Sequence, residues 1–132
     1  MGNNSIFGAM AAATQGMNAQ STRLKIVSEN LSNADTHGYH RKLITFQNTY
    51  DNQAKMNVLS IGDITLDQTK GDVEFNPAHP LSNAQGYVEL SNVNMMVEMA
   101  DARQASRSYE ANLTTFKQAR NMYSGLLDLL RR

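Results

Sequence analysis

The sequence predicts a mainly α protein in which long N- and C-terminal helices pair as an antiparallel coiled coil, with a small irregular β-rich insertion between them. Three observations carry this. From residue 95 onward, Met95, Met99, Ala102, Ser106, Tyr109, Leu113, Phe116, Arg120, Tyr123, Leu127 and Leu130 alternate in steps of 4 and 3, and nine of these eleven positions are apolar or aromatic. A 3.5-residue repeat keeps one edge of a helix turned toward a partner. A weaker stripe runs through Ile6, Met10, Ala13, Met17, Gln20, Leu24, Val27, Leu31 and Ala34 at the opposite end. Between them the period is lost, and short β-branched and aromatic runs alternate with Gly, Pro and Asn. The chain therefore divides into an N-terminal helix (1–38), a β/loop insertion (39–90) and a C-terminal helix (91–132).

The first helix is expected over residues 5–34, with Ser5 or Asn4 accepting the orphan amide hydrogens of its first turn. The Ala11–Ala13 run favours it. Gly8 and Gly16 each cost about 1 kcal/mol against Ala in a helix interior, so packing must complete the helix. The pattern stops at Asn33-Ala34-Asp35-Thr36-His37-Gly38, where Asn and Asp suit side-chain-to-backbone turns and Gly38 suits a left-handed one.

Strands are predicted at Leu43–Phe46 and Met56–Leu66, the second with Val58, Ser60, Gly62 and Ile64 on one face, and again at Val73–Phe75 and within Gly86–Leu90. Lys70-Gly71-Asp72 signals a turn. Pro77 and Pro80 hold Asn76–Pro80 extended, because each fixes its own φ and keeps the preceding residue out of the α region. The last helix starts at an Asn92 or Asn94 cap. Glu98 and Asp101 near its start and Arg131-Arg132 at its end complement the helix dipole. Leu126 and Leu129 lie beside Leu127 and Leu130, so the final two turns are apolar over a wider arc than one partner helix covers. Burial against another subunit is the expectation for that arc. Ser106 and Arg120 interrupt the stripe at positions where a polar residue can fix register and partner choice.

At 132 residues the chain has the length of one domain, and with 7% aromatics and no Trp its core is thin, so neighbours are expected to complete its stability. Net charge is zero, but residues 1–50 carry +2, residues 51–90 carry −4 and residues 91–132 carry +2. No concentrated basic face recommends nucleic acid as a partner. No apolar run reaches the ~18 residues of a membrane span, and the N-terminus lacks the features of a cleaved secretory signal. The chain has no Cys, which removes disulfides and thiolate chemistry.

Little in the sequence points to catalysis. His37-x-x-His40 straddles a turn without a third ligand, and Asp63, Asp67, Asp72 and Glu74 are spread over turn-rich sequence with little apolar surround. No phosphate loop or nucleophile elbow is present. No catalytic residue, metal or cofactor is expected. The expected working surface is an assembly interface made by Met10, Met17, Leu24, Val27 and Leu31 on the first helix. On the second it is made by Met95, Met99, Tyr109, Leu113, Phe116, Arg120, Tyr123, Leu126, Leu127, Leu129 and Leu130.

Ser28-Glu29-Asn30-Leu31-Ser32-Asn33-Ala34-Asp35-Thr36, Gly38-Tyr39-His40-Arg41-Lys42 and Phe46-Gln47 follow one another at the end of the first helix. Downstream stand His79-Pro80-Leu81, Gly86-Tyr87-Val88, Asn92-Val93-Asn94, Glu98-Met99 and Ala105-Ser106-Arg107-Ser108-Tyr109-Glu110-Ala111-Asn112. In these residues nearly the whole chain resembles the bacterial flagellar axial proteins, the rod and hook family, and the stretch from His79 to Asn112 resembles its proximal rod subunits. Asn30, Asn33, Ala34, Asp35, Thr36, Gly38, Tyr39, Pro80, Gly86, Tyr87, Asn92, Asn94, Tyr109 and Asn112 carry the match. Ser91 departs from it, standing where many relatives have Pro.

The resemblance implies a structural, non-enzymatic subunit of the proximal rod of the basal body. Such a chain is exported without signal cleavage through the flagellar type III apparatus into the periplasmic rod. There it assembles through its terminal helices with copies of itself and with FlgB-, FliE-, FlgF- and FlgG-like neighbours into a helical shaft that transmits torque. Non-closing contacts between copies give such an assembly. The alternatives are another axial protein, FlgB-like or from the distal rod, and a cytoplasmic helical adaptor or chaperone.

Overall fold

A computed structural model describes residues 2–132, with side chains from residue 5 onward. Helix α1 spans Gly2–Ser32, strands β1 to β4 span Lys42–Asp51, Met56–Leu66, Val73–Phe75 and Tyr87–Glu89, and helix α2 spans Met95–Leu130. The four expected strands are present, and the first extends well beyond Phe46 because Thr49 and Tyr50 continue its β-favouring run. The first helix begins earlier than expected, so Ser5 lies inside its opening turns instead of capping them. The Asn4 side chain lies outside the described residues.

The two helices run antiparallel along their length. Phe7 meets Tyr123 with ring centroids 5.1 Å apart, Gly16 faces Asn112, Arg23 ion-pairs with Asp101, and Asn30 bonds Glu98. At 1.5 Å per residue, the 36 residues of α2 make a rod of about 54 Å. Asn94 is its N-cap, its side chain accepting from Met96 N at 3.0 Å and Val97 N at 3.3 Å.

Only half of the 4–3 stripe of α2 faces α1. Ala102, Tyr109, Phe116 and Tyr123 are half-buried, and the fully buried positions beside them are Glu98, Ala105 and Ala119, with half-buried Asn112 in the same row. Met99, Ser106, Leu113 and Arg120 each follow one of these four by a single residue. One residue is about 100° of helix rotation, so that row stands on the flank. The inner row was passed over because a carboxylate, an amide and two methyls carry no hydrophobic signal.

Strands β1 and β2 form one antiparallel hairpin, from Lys42 opposite Leu66 to Asp51 opposite Met56, laid against α1. Its register shifts between Ile44 and Phe46, where two residues, Gly62 and Asp63, oppose Thr45. This bulge ends the inward phase of β2: Val58 is buried, whereas Ile64, on the same face by strict alternation, is half exposed. At the turn, Asp51 Oδ1 accepts from Gln53 N and Ala54 N.

Strands β3 and β4 form a second antiparallel pair, Val73 opposite Glu89 and Phe75 opposite Tyr87. Gly38, at φ +72°, donates its N–H to Glu89 O at 2.9 Å and so ties this pair to the turn after α1. Its left-handed conformation is costly for a residue with a Cβ.

Candidate assembly surface

Asn30 stands where four elements meet, and it satisfies all its hydrogen-bonding capacity there. Its Nδ2 donates to Lys42 O at 3.0 Å and to Glu98 Oε2 at 3.3 Å, and its Oδ1 accepts from Lys42 N at 2.8 Å and from the Tyr39 hydroxyl at 3.0 Å. A buried amide that meets four partners fixes their mutual positions, because any shift leaves a polar group unpaired. Glu98 is wholly buried, and Arg41 Nε donates to its Oε1 at 2.7 Å. The Arg41 N–H donates to Asn92 Oδ1 at 2.6 Å, and Asn92 Nδ2 donates to Asp67 O at 3.1 Å and Thr69 O at 2.8 Å. The end of α1, the open end of the long hairpin and the start of α2 are thereby locked into one polar junction.

Ionisation at this junction follows from its bonds. The Thr69 hydroxyl and then its backbone N–H, both bonding to Asp67, hold its carboxyl below the usual carboxylate range, helped by Arg41 and His40. The bond from Lys42 Nζ to Glu29 Oε1, at 2.6 Å, holds the ammonium above the ordinary lysine value. Burial, and then the Glu29 charge, push the Tyr39 phenol up.

The other residues of the Asn-rich signature have equally specific places. Asn33 Nδ2 donates to Glu29 O at 2.9 Å and its Oδ1 accepts from the Thr36 hydroxyl at 3.1 Å, which closes the turn after α1. Gly86 sits at φ +84°, and Tyr87 packs edge-on against Phe75 with centroids 5.2 Å apart. Ala34 and Asp35 line a cleft beside β3. Pro80 is exposed in the β3–β4 connection. His37 stacks on His79 at 4.4 Å, and His40 Nδ1 lies 2.8 Å from Asp67 O, so the two histidines of the His-x-x-His stretch have separate partners.

Along the helix pair the contact is made by small residues. Ala13, Ala19, Ala105 and Ala119 are buried, and a methyl on Gly16 would stand 2.7 Å from Asn112 Nδ2. Close approach over Ala and Gly leaves room inside for only some of the large apolar side chains, among them Ile6, Ile26 and Val27, and the rest stay outside. Of the candidate interface residues, Val27 is buried, and Met10, Met17, Leu24, Leu31, Tyr109, Leu113, Phe116 and Tyr123 are half-buried. Met95, Met99, Arg120, Leu126, Leu127, Leu129 and Leu130 are exposed. Met96, Val97 and Met122 join them. The exposed apolar residues thus cluster at the two ends of α2, and apolar surface of this kind marks a site of association.

Sequence reasoning read Asn30, Asn92 and Glu98 as signature residues or cap partners and missed the junction they build with Arg41. The signal available was a buried-type pattern of Asn beside an aromatic and two cations in Asn30…Tyr39-His40-Arg41-Lys42. No described helix is long and apolar enough to cross a membrane.

Residues 10–40 match the family model of the flagella basal body rod protein, and residues 84–129 match that of the flagellar basal body rod FlgEFG protein C-terminal region. These two segments cover most of both helices, the turn after α1 and β4. The chain is similar to the flagellar basal-body rod protein FlgC of Agrobacterium fabrum, with 39% identity covering 90% of this chain and 91% of the relative. It is likewise similar to FlgC of Borreliella burgdorferi, with 32% identity covering 95% of this chain and 97% of the relative. FlgC of Bacillus subtilis shares 28% identity over 93% of this chain and 97% of its own length. Since these likenesses span both helices and the insertion, the chain belongs to the FlgC family of flagellar basal-body rod proteins.

Proposed function

We propose that the chain is a structural subunit of the proximal basal-body rod that self-assembles through its terminal helices into the torque-transmitting shaft and performs no catalysis. The observation that carries this is the division of labour on the helices. Ala and Gly bring α1 and α2 together, whereas Met95, Met99, Leu126, Leu127, Leu129 and Leu130 remain exposed for neighbours. The polar junction fixes the angle at which that surface is presented. The partners are further copies of the chain and adjoining rod subunits of FlgB-, FliE-, FlgF- and FlgG-like type. Delivery through the flagellar type III apparatus agrees with a helix pair whose small-residue seam is weak until neighbours cover it.

The test is Leu127→Asp in flagellated cells. It abolishes recovery of the chain in salt- and detergent-resistant basal bodies, and swimming with it, while expression is kept. Normal swimming with this variant, or a chain that remains in the soluble cytoplasm of flagellated cells, removes the rod reading in favour of a helical adaptor.

A further inference from the structure

Methionine carries all the side-chain sulfur of this chain. There are eight Met, no Cys and no Trp, so the thioethers are the side chains most open to two-electron oxidation. They are unequally placed. Among the described residues, Met10, Met17 and Met56 are half-buried, whereas Met95, Met96 and Met99 are 55%, 79% and 46% exposed. Met122 is exposed too, but far along α2 from the other three. Successive residues turn a helix by about 100°, so Met95, Met99 and Met96 share an arc of that width on the opening turns of α2. Three flexible thioethers are thus gathered on one patch of the surface left open for neighbours.

We propose that Met95, Met96 and Met99 form an oxidation site, at which a peroxide converts the free chain into a form that neighbours cannot bury. This rests on the rod reading and deepens it, by adding a regulation to the surface that the reading names. In each transfer the thioether sulfur gives an electron pair to one peroxide oxygen. The S–O bond forms as the O–O bond breaks, and the second oxygen leaves with both protons as water. Sulfur loses two electrons and the peroxide gains them. In the free chain water solvates the new S=O dipole, so the fold is kept. Against a neighbour the same dipole must be buried, and an apolar contact becomes a polar one without a partner. Incorporation in turn shields the thioethers from peroxide. Since the chain has no thiol of its own, the reverse step belongs to an external dithiol reductase, which becomes a disulfide as the sulfoxide oxygen leaves as water.

The test begins with the purified full-length chain in dilute hydrogen peroxide, mapped by peptide mass spectrometry. Met95, Met96 and Met99 gain one oxygen each about tenfold faster than Met10, Met17 and Met56, and the thermal melt is unchanged. Flagellated cells lacking methionine sulfoxide reductases are then given peroxide while basal bodies form. The three sulfoxides are about tenfold scarcer in the incorporated chain than in the free pool. Incorporation of a Met95→Leu, Met96→Leu, Met99→Leu chain is lowered no further by peroxide. The matching triple change to Gln, whose amides imitate the sulfoxide dipole, lowers incorporation without peroxide. Equal sulfoxide content in the two pools, a Leu variant as peroxide-sensitive as the unaltered chain, normal incorporation of the Gln variant, or loss of folding on oxidation overturns the proposal. In each of these cases incorporation of the unaltered chain without peroxide leaves the rod reading standing. A chain absent from basal bodies even without peroxide overturns both.

Discussion

Arg41 Nε lies 2.7 Å from Glu98 Oε1, and that carboxylate is wholly removed from solvent. The pair joins the start of β1 to the first turns of α2, so it holds the two arms of the molecule at one angle. A buried charge left without its partner is far more costly than the pair is favourable. Arg41→Met therefore destabilises the chain by about 3–5 kcal/mol. Glu98→Gln, which leaves the more exposed Arg41 with Asp67 still 3.8 Å away, costs less. The double variant Arg41→Met, Glu98→Gln is less unstable than Arg41→Met alone. Urea unfolding of the purified chain, read as a double-mutant cycle, measures the coupling. Strictly additive effects would show that the two groups do not act as a pair.

Gly16 has been placed against Asn112 by the closeness of the helices, and the cost of a methyl there falls on one flexible amide. Gly16→Ala alone gains helix propensity but displaces Asn112 from its bond to Ser108 O at 2.9 Å, so it destabilises. With Asn112→Ala the obstacle is gone. The double variant then recovers the roughly 1 kcal/mol that Ala gains over Gly in a helix. Thermal melts of the four chains check this, and a double variant no more stable than Gly16→Ala would refute the contact.

The two long helices were legible because hydrophobic periodicity over about thirty residues is a strong signal, and the strands because β-branched runs sit between clear turn residues. What escaped was which edge of α2 faces inward. Glu98, Ala105, Asn112 and Ala119 form a row of heptad spacing, but periodicity weighs residues by hydrophobicity, and these four contribute little of it. The neighbouring row of Met99, Leu113 and Leu127 won on that scale although it lies a quarter-turn away. The junction was invisible for a related reason: Asn30, Arg41 and Glu98 lie 11 and 57 residues apart in sequence, and only folding shows that they share bonds. The break in alternation at Gly62 leaves no mark in the sequence, because a bulge adds a residue without any change in composition.

The depressed ionisation of Asp67 gives stability a defined pH dependence. A carboxyl whose folded value lies below its unfolded value stabilises the fold above the unfolded value, near 3.8, and that contribution is lost as pH falls through the folded value. The bonds from Thr69 are the largest cause. Thr69→Val removes the hydroxyl and moves the Asp67 carboxyl up toward the ordinary range, so the stability that this carboxylate adds shrinks and the acid limb of the stability curve becomes shallower. Carboxyl-carbon NMR titration of the two chains reads the shift, and an unchanged Asp67 titration would mean that the hydroxyl does not hold it.

Substitutions on the two sides of α2 should separate folding from assembly. Ala119 is buried in the helix pair, so Ala119→Leu forces α1 and α2 apart and destabilises the free chain by about 1–3 kcal/mol. Leu129 is exposed, so Leu129→Asp leaves the stability of the free chain within about 0.5 kcal/mol. In cells the order reverses its meaning. Leu129→Asp yields a folded chain that basal bodies do not incorporate, because a carboxylate enters a surface that neighbours must bury. Ala119→Leu reduces incorporation only as far as it reduces the folded population, and a compensating Gly in place of a facing residue on α1 recovers it. Circular dichroism melts paired with quantitation of the chain in isolated basal bodies distinguish the two variants. Loss of folding in Leu129→Asp would show that the exposed leucines serve the chain's own core.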